Sequence, residues 1–222
     1  MRDLIKAIAL IKRRSDISRE QFARHYEEVH APLALRYFRD WKAYIRNHVV
    51  ETLRGGEPTF DCISEFWYSD WKGIEDTVKF MASAAAQPLR DDELSFMDRP
   101  GNVSFMVSEQ VILGDPTCFR AKAPAKAIAF VERRSDVGRD EFLAAYEGRD
   151  LPRLLDEAAA VRCVQNRVEP EAAAVGEATV ECVTEIWFGD PEERRKAMGS
   201  FQPEAGSLML VAVSEFESVC GE

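Results

Sequence analysis

KAIALIKRRSD, residues 6–16, returns as KAIAFVERRSD, residues 126–136, identical at 8 of 11 positions and displaced by 120 residues. Self-similarity at a fixed offset marks a repeat, and a missed repeat misassigns the whole fold. DCISEFWYSD (61–70) pairs with ECVTEIWFGD (181–190) at the same offset. Between these blocks Phe22, Tyr26 and Pro32 match Phe142, Tyr146 and Pro152. YIRNHVV (44–50) matches CVQNRVE (163–169) after a one-residue slip. VSEQV (107–111) matches VSEFE (213–217), where the offset has fallen to 106, so the second copy is shorter after its third strand by a turn and a loop. The chain therefore divides into a unit at 1–115 and a second, degenerate unit at 125–222, joined by the Pro- and Gly-containing GDPTCFRAKAPA (114–125).

Each copy predicts the order β-α-β-β-α-β. The first strand spans about 4–13 and a helix starts near 19. Ser18 caps that helix, Gln21 completes a capping box, and Ile17 staples onto Phe22. Phe22, Tyr26, Val29 and Leu33 recur at helical spacing as a core-facing stripe. Strands near 43–52 and 59–69 flank the turn RGGEP at 54–58; a second helix begins near 71, more helix follows at 88–96, and a fourth strand spans 102–113. This is the ferredoxin-like pattern, an antiparallel sheet with two helices on one face. The strands are apolar on both faces, yet helices cover only one. The bare faces of the two copies are expected to pack together and close an α+β barrel, an intrachain pseudo-dimer.

Composition narrows the function. The chain has 222 residues and a formal net charge of −10, which disfavours nucleic acid and anionic membrane as partners. No apolar run reaches the roughly 18 to 20 residues of a membrane span, and MRDLIKAIALIKRR reads as a strand rather than a leader. Five cysteines without CxxC spacing argue against disulfides or zinc and for a reducing cytoplasm.

The first strand ending in KRRSD, the helix FARHYEEVHAPLA, the strand YIRNHVV and the strand ISEFWYSD together resemble the EthD family (ethyl tert-butyl ether degradation), part of the dimeric α+β barrel superfamily. The resemblance covers most of 4–113 and, more weakly, 126–219. Members are usually single units that dimerise, so the likeness implies a fused pair. It implies a broad chemistry: cofactor-independent lactone isomerases, decarboxylases and cyclases, small monooxygenases, and some haem binders.

All three histidines, His25, His30 and His48, lie in the first copy, opposite Ala145, Asp150 and Arg167. His30 is the leading catalytic candidate. Pro32 should bend or end the helix there, leaving an imidazole beside freed carbonyls at the mouth of a groove between helix and sheet. The HxP helix end is also what the resemblance points to; the competing reading is a helix cap. His48 is the second candidate, but it neighbours Asn47 on a strand, so only one of the two faces the barrel. His25, five residues from His30 and about 140° around an α-helix, should not share its site. Tyr26, Trp67 and Asn47 are the substrate-binding candidates; for Trp67, core packing fits equally. Glu65, beside Trp67, needs a partner if buried: a histidine to orient, or an arginine such as Arg46.

These residues point to a cofactor-independent lyase, decarboxylase or isomerase working on a small apolar aromatic or lactone-like metabolite by proton transfer at His30. No metal is implied. His30→Ala is expected to abolish turnover without moving the melting temperature by more than a few degrees. A non-catalytic barrel that binds a hydrophobic metabolite or a partner protein is the first alternative. Monooxygenase-type or haem-dependent oxygen chemistry is the second. Whether the fused pair dimerises further stays open.

Overall fold

A computed structural model describes residues 4–169, 180–201, 203–204 and 206–219. Residues 220–222 of the expected second unit, Cys220 among them, lie outside these, as do residues 1–3.

The fold is mixed α/β, built on one closed barrel of eight antiparallel strands. In the first half β1 (Ile5–Ile11) leads to α1 (Arg19–His25), a wide π turn (Tyr26–His30) and α2 (Ala31–Tyr37). Next come β2 (Ala43–Arg54), β3 (Cys62–Tyr68), α3 (Trp71–Ala82), α4 (Gln87–Phe96) and β4 (Val103–Leu113). The second half runs β5 (Ala125–Arg133), α5 (Arg139–Ala145), a second π turn (Tyr146–Asp150), α6 (Leu151–Glu157), β6 (Ala160–Val168), β7 (Val180–Phe188), α7 (Pro191–Ser200) and β8 (Gly206–Val219). Among the described residues no counterpart of α4 follows α7, a larger loss than a turn and a loop.

Around the barrel the order is β4-β1-β3-β2-β8-β5-β7-β6 and back to β4. The order 4-1-3-2 thus recurs as 8-5-7-6. The two four-stranded sets meet at two seams, β2 with β8 and β4 with β6. Alternation along each strand sorts side chains into two environments. Ile8, Ile63, Phe105, Ile128, Phe130 and Val211 fill the barrel. Cys62, Tyr44 and Ile11 face outward onto Phe22, Tyr26 and Phe96. Cys182, Ile186 and Ala129 face outward onto Phe142, Tyr146 and Leu154.

The repeated RRSD has a structural cause. Arg13 Nε lies 3.2 Å from Asp61 Oδ1, and Arg133 Nε 3.0 Å from Glu181 Oε1. Arg19 and Arg139 reach the same two carboxylates at 3.0 and 2.9 Å. One carboxylate thus ties the end of the first strand to the start of the first helix and to the third strand. The Ser18–Gln21 capping box forms as the sequence implies.

Helix formation does not stop at His30. The chain continues from α1 through the π turn into α2, with the Ala31 N–H donating to the Tyr26 carbonyl. A bond five residues back omits the tighter turn that Pro32 would obstruct. The extra residue rotates the stripe: Val29 is 46% exposed, while His30 is buried at 5%.

Candidate functional site

The sheet separates the five candidate residues into two groups. Tyr26, His30 and His48 lie outside the barrel, between the first helix layer and β2–β3. Asn47 and Trp67 lie inside it.

In the outer group, Asp92 of α4 holds both helix histidines. Its Oδ2 is 2.8 Å from His30 Nδ1 and its Oδ1 is 2.8 Å from His25 Nε2. The five-residue spacing that separates them on an α-helix brings them to one side across a π turn. Burial works against the Asp92 charge, but hydrogen bonds from His30 and His25 outweigh it and lower its pKa. The His30 ring packs 5.1 Å, centroid to centroid, from both Tyr26 and Phe96. Tyr26 Oη lies 2.8 Å from Ser64 Oγ and accepts from Tyr44 Oη at 3.0 Å.

His48 belongs to a different charge cluster. Its Nε2 is 2.7 Å from Glu27 Oε1, and Arg46 grips the same carboxylate through Nε and Nη2. Burial opposes the imidazolium, yet Cys62 and Glu27 beside it prevail and its pKa is pushed up to about 10. In the second half Glu147 takes the place of Glu27, with Gln165 Nε2 at 3.0 Å and Arg167 Nη2 at 2.5 Å. An arginine thus stands where His48 stands. Both side chains are held on a half-buried carboxylate. Asp150, at the His30 position, is fully buried, accepting from Arg149 Nε at 3.1 Å and the Glu204 N–H at 3.0 Å.

The inner group sits in an ionic layer whose lysines the sequence reading missed. Lys6 Nζ lies 2.6 Å from Glu65, 2.8 Å from Glu109 and 2.8 Å from Glu185. Lys126 Nζ lies 3.5 Å from Glu65, 2.7 Å from Glu185 and 2.7 Å from Glu215. Asn47 Nδ2 donates to Glu65 Oε1 at 2.6 Å, and Asn166 Nδ2 to Glu185 Oε1 at 2.9 Å. Lys6 and Lys126 stand 4.4 and 4.2 Å over the Trp67 and Trp187 rings. Asn47 therefore serves a hydrogen bond common to both halves, and Trp67 packs beneath a lysine. Glu65 and Glu185 share a hydrogen bond and split apart. Burial and the neighbouring Glu185 push Glu65 up to about 7. Against the same burial, Lys126 and Lys6 hold Glu185 below the ordinary carboxylate range. One signal was available in the sequence: Lys6 and Lys126 fill the same inward register of otherwise apolar strands.

At the other end the barrel opens into a cavity of about 410 Å³. Leu10, Phe60, Val103, Phe105, Phe130 and Met209 form most of its wall, and Glu132 and Ser207 join the lining. A smaller cavity of about 200 Å³ lies beside Phe38, Trp41, Tyr68 and Phe80. Neither lining includes His30, His48, Tyr26, Trp67 or Asn47. The groove between helix and sheet expected at His30 is occupied by Tyr26 and Phe96. Among the described residues no three of His, Cys, Asp and Glu converge as metal ligands, and no helix is long and apolar enough to cross a membrane.

Residues 14–100 match the family model of the EthD domain, so the first half carries that domain. An anthrone oxidase-like protein superposes with a TM-score of 0.64 at 10% identity, covering 99% of this chain and 94% of its own. A protein assigned as a monooxygenase from Lactobacillus acidophilus NCFM gives 0.54 at 10% identity, covering 99% and 97%. An ethyl tert-butyl ether degradation (EthD) family protein from Bacillus halodurans C-125 is 24% identical over 43% of this chain and 89% of its own, with a TM-score of 0.34. A search of curated proteins found no match. At 10% identity the first two likenesses concern the fold alone, the dimeric α+β barrel type.

Proposed function

We propose, from the premise that residues 14–100 are an EthD domain, that the protein binds a small, mostly apolar aromatic or lactone-like metabolite at the open end of the barrel and acts on it without a resident cofactor. The cavity carries this reading. Its volume of about 410 Å³ falls in the range of roughly 300 to 1,000 Å³ typical of small-molecule sites, and its wall is apolar with few polar groups. Related positions of the two halves supply opposite walls: Leu10 with Phe130, Phe60 with Val180, Val103 with Met209. That pairing supports the further proposal that units 1–115 and 125–222 act as a fused pseudo-dimer sharing one site. The anthrone oxidase-like neighbour suggests a fused-ring ketone as the size of ligand, and oxygen chemistry as one use of it.

The test is displacement of N-phenyl-1-naphthylamine fluorescence. Wild type should bind the probe and release it to aromatic ketones. Val103→Trp, which fills the cavity from a partly buried position, should weaken probe binding at least tenfold with the fold intact by circular dichroism. Equal binding by the two proteins would overturn the reading.

The Asp92–His30 contact favours a second reading. A carboxylate on Nδ1 fixes the tautomer and ring angle of an imidazole base. Proton transfer would then run on the helix side, and His30→Gln, rather than cavity filling, would remove turnover.

A further inference from the structure

We infer that Glu132, with Ser207 beside it, is the proton acceptor of the barrel cavity, and that the substrate class is an aromatic ketone or lactone with an acidic C–H next to its carbonyl. This rests on the cavity reading above. Among the described residues of the lining, Glu132 is the one ionisable group. It stands two residues after Phe130 on β5, on the same face, so the strand itself aims it at the cavity. The β5–β8 register sets it opposite Ser207, whose Oγ donates to Oε2 at 3.3 Å.

The asymmetry between the halves gives this pair its meaning. The apolar walls are duplicated about the barrel, but the counterpart of Glu132 is Lys12, which turns away to Asp98 Oδ2 at 3.0 Å and is 43% exposed. The counterpart of Ser207 is Gly101, where an added Cβ would meet Lys12 Cδ at 2.7 Å. A cavity with matching apolar sides thus carries a carboxylate on one side alone. A ligand with a carbonyl and an adjacent acidic C–H can then lie only one way round.

The step is a proton transfer. The Glu132 carboxylate takes the proton from carbon as the C–H bond breaks. The electron pair moves onto the carbonyl oxygen as an enolate. The Glu132 acid then returns the proton to carbon or to oxygen. Nothing is oxidised or reduced, so an isomerisation closes without a co-reactant, and the enolate is also the species that other electrophiles would capture.

The test uses 2-tetralone in D₂O, with exchange of its C1 protons followed by NMR and its binding followed by displacement of N-phenyl-1-naphthylamine. Wild type should speed exchange by about 10²- to 10⁴-fold, the usual contribution of a placed base. Glu132→Gln should bind 2-tetralone within twofold of wild type and lose that acceleration. Glu132→Asp, whose carboxylate is withdrawn by one methylene, should retain a tenth or less and guards against misfolding of the Gln variant. Unchanged exchange in Glu132→Gln would overturn the assignment while leaving the cavity reading standing. Failure of the wild type to bind the fluorescent probe would instead overturn the cavity reading, and the proposal with it.

Discussion

Glu65 and Glu185 occupy related places in the two halves, yet their conversion to glutamine should have opposite effects. Glu65 is the carboxyl that burial and Glu185 keep protonated, with a pKa pushed up to about 7 from an ordinary 4.5. A group whose folded-state pKa is raised contributes fully below pH 4.5 and loses that contribution as pH rises through about 7. At about 1.4 kcal/mol per unit the loss is on the order of 3 kcal/mol. Gln imitates the neutral acid and can donate to Glu185 as the acid does. Glu65→Gln should therefore lie within about 1 kcal/mol of wild type near pH 5 and exceed it by a few kcal/mol at pH 8. Glu185 is the ionised partner and touches both lysines at 2.7 to 2.8 Å. Its pKa is held below the ordinary value, so its contribution is present above pH 4.5 and fades in acid. Glu185→Gln leaves two lysines, 1% and 3% exposed, each short of a carboxylate. Breaking a buried pair costs about 3 to 5 kcal/mol. At about 2 to 4 °C per kcal/mol for a chain of this size, the melting temperature should fall by roughly 6 to 20 °C. Urea unfolding of both variants from pH 4 to 8 decides the matter. Equal effects of the two substitutions would refute the assignment of the shared proton.

Three more outcomes follow from the geometry. His30→Ala removes a ring packed between Tyr26 and Phe96 and strips Asp92 of one hydrogen bond, so it should cost about 2 to 3 kcal/mol and be plain in a thermal melt; an unchanged melting temperature, as the sequence alone suggested, would contradict the packing. His48→Arg should copy Arg167 and stay within about 1 kcal/mol of wild type. Because the His48 pKa is raised from 6.5 to about 10, its contribution is complete below pH 6.5 and lost as pH rises through about 10. The Arg variant should lack that alkaline decline in urea unfolding, and its persistence would detach it from His48. Cys118 is exposed while Cys62, Cys163 and Cys182 are buried, the last two thiols pushed up to about 12 by burial. Cys118→Ser should remove one equivalent of fast reaction with a disulfide reagent, and no loss would contradict its exposure.

The strand and helix order was legible because repeated motifs fix the register of each strand twice over. Strand faces followed from alternation, which is why Asn47 and His48 separate as expected. His30 was misplaced for a local reason. Helical periodicity assumes one turn length, and the wide turn at Tyr26–His30 adds a residue that no pattern of apolar positions announces. The partner of His30 was hidden too, since Asp92 lies 62 residues away on a helix with no counterpart among the described residues of the second half. Lys6 read as an interruption of an apolar run, because a single strand does not reveal that three carboxylates from three other strands converge on it. Glu132 read as one mismatch in a repeat. Its meaning appears only when β8 brings Ser207 to the same end of the barrel.

The seams carry a consequence for synthesis. Ala43 pairs with Val219, so the β2–β8 seam joins segments 176 positions apart. While the chain is emerging from the ribosome, the first half must wait with the edges of β2 and β4 unsatisfied, open to pairing with a neighbouring nascent chain. Such distant pairing makes folding slow. Two fragments severed in the 114–124 connector and expressed together should therefore recombine, each offering the other the edges it lacks.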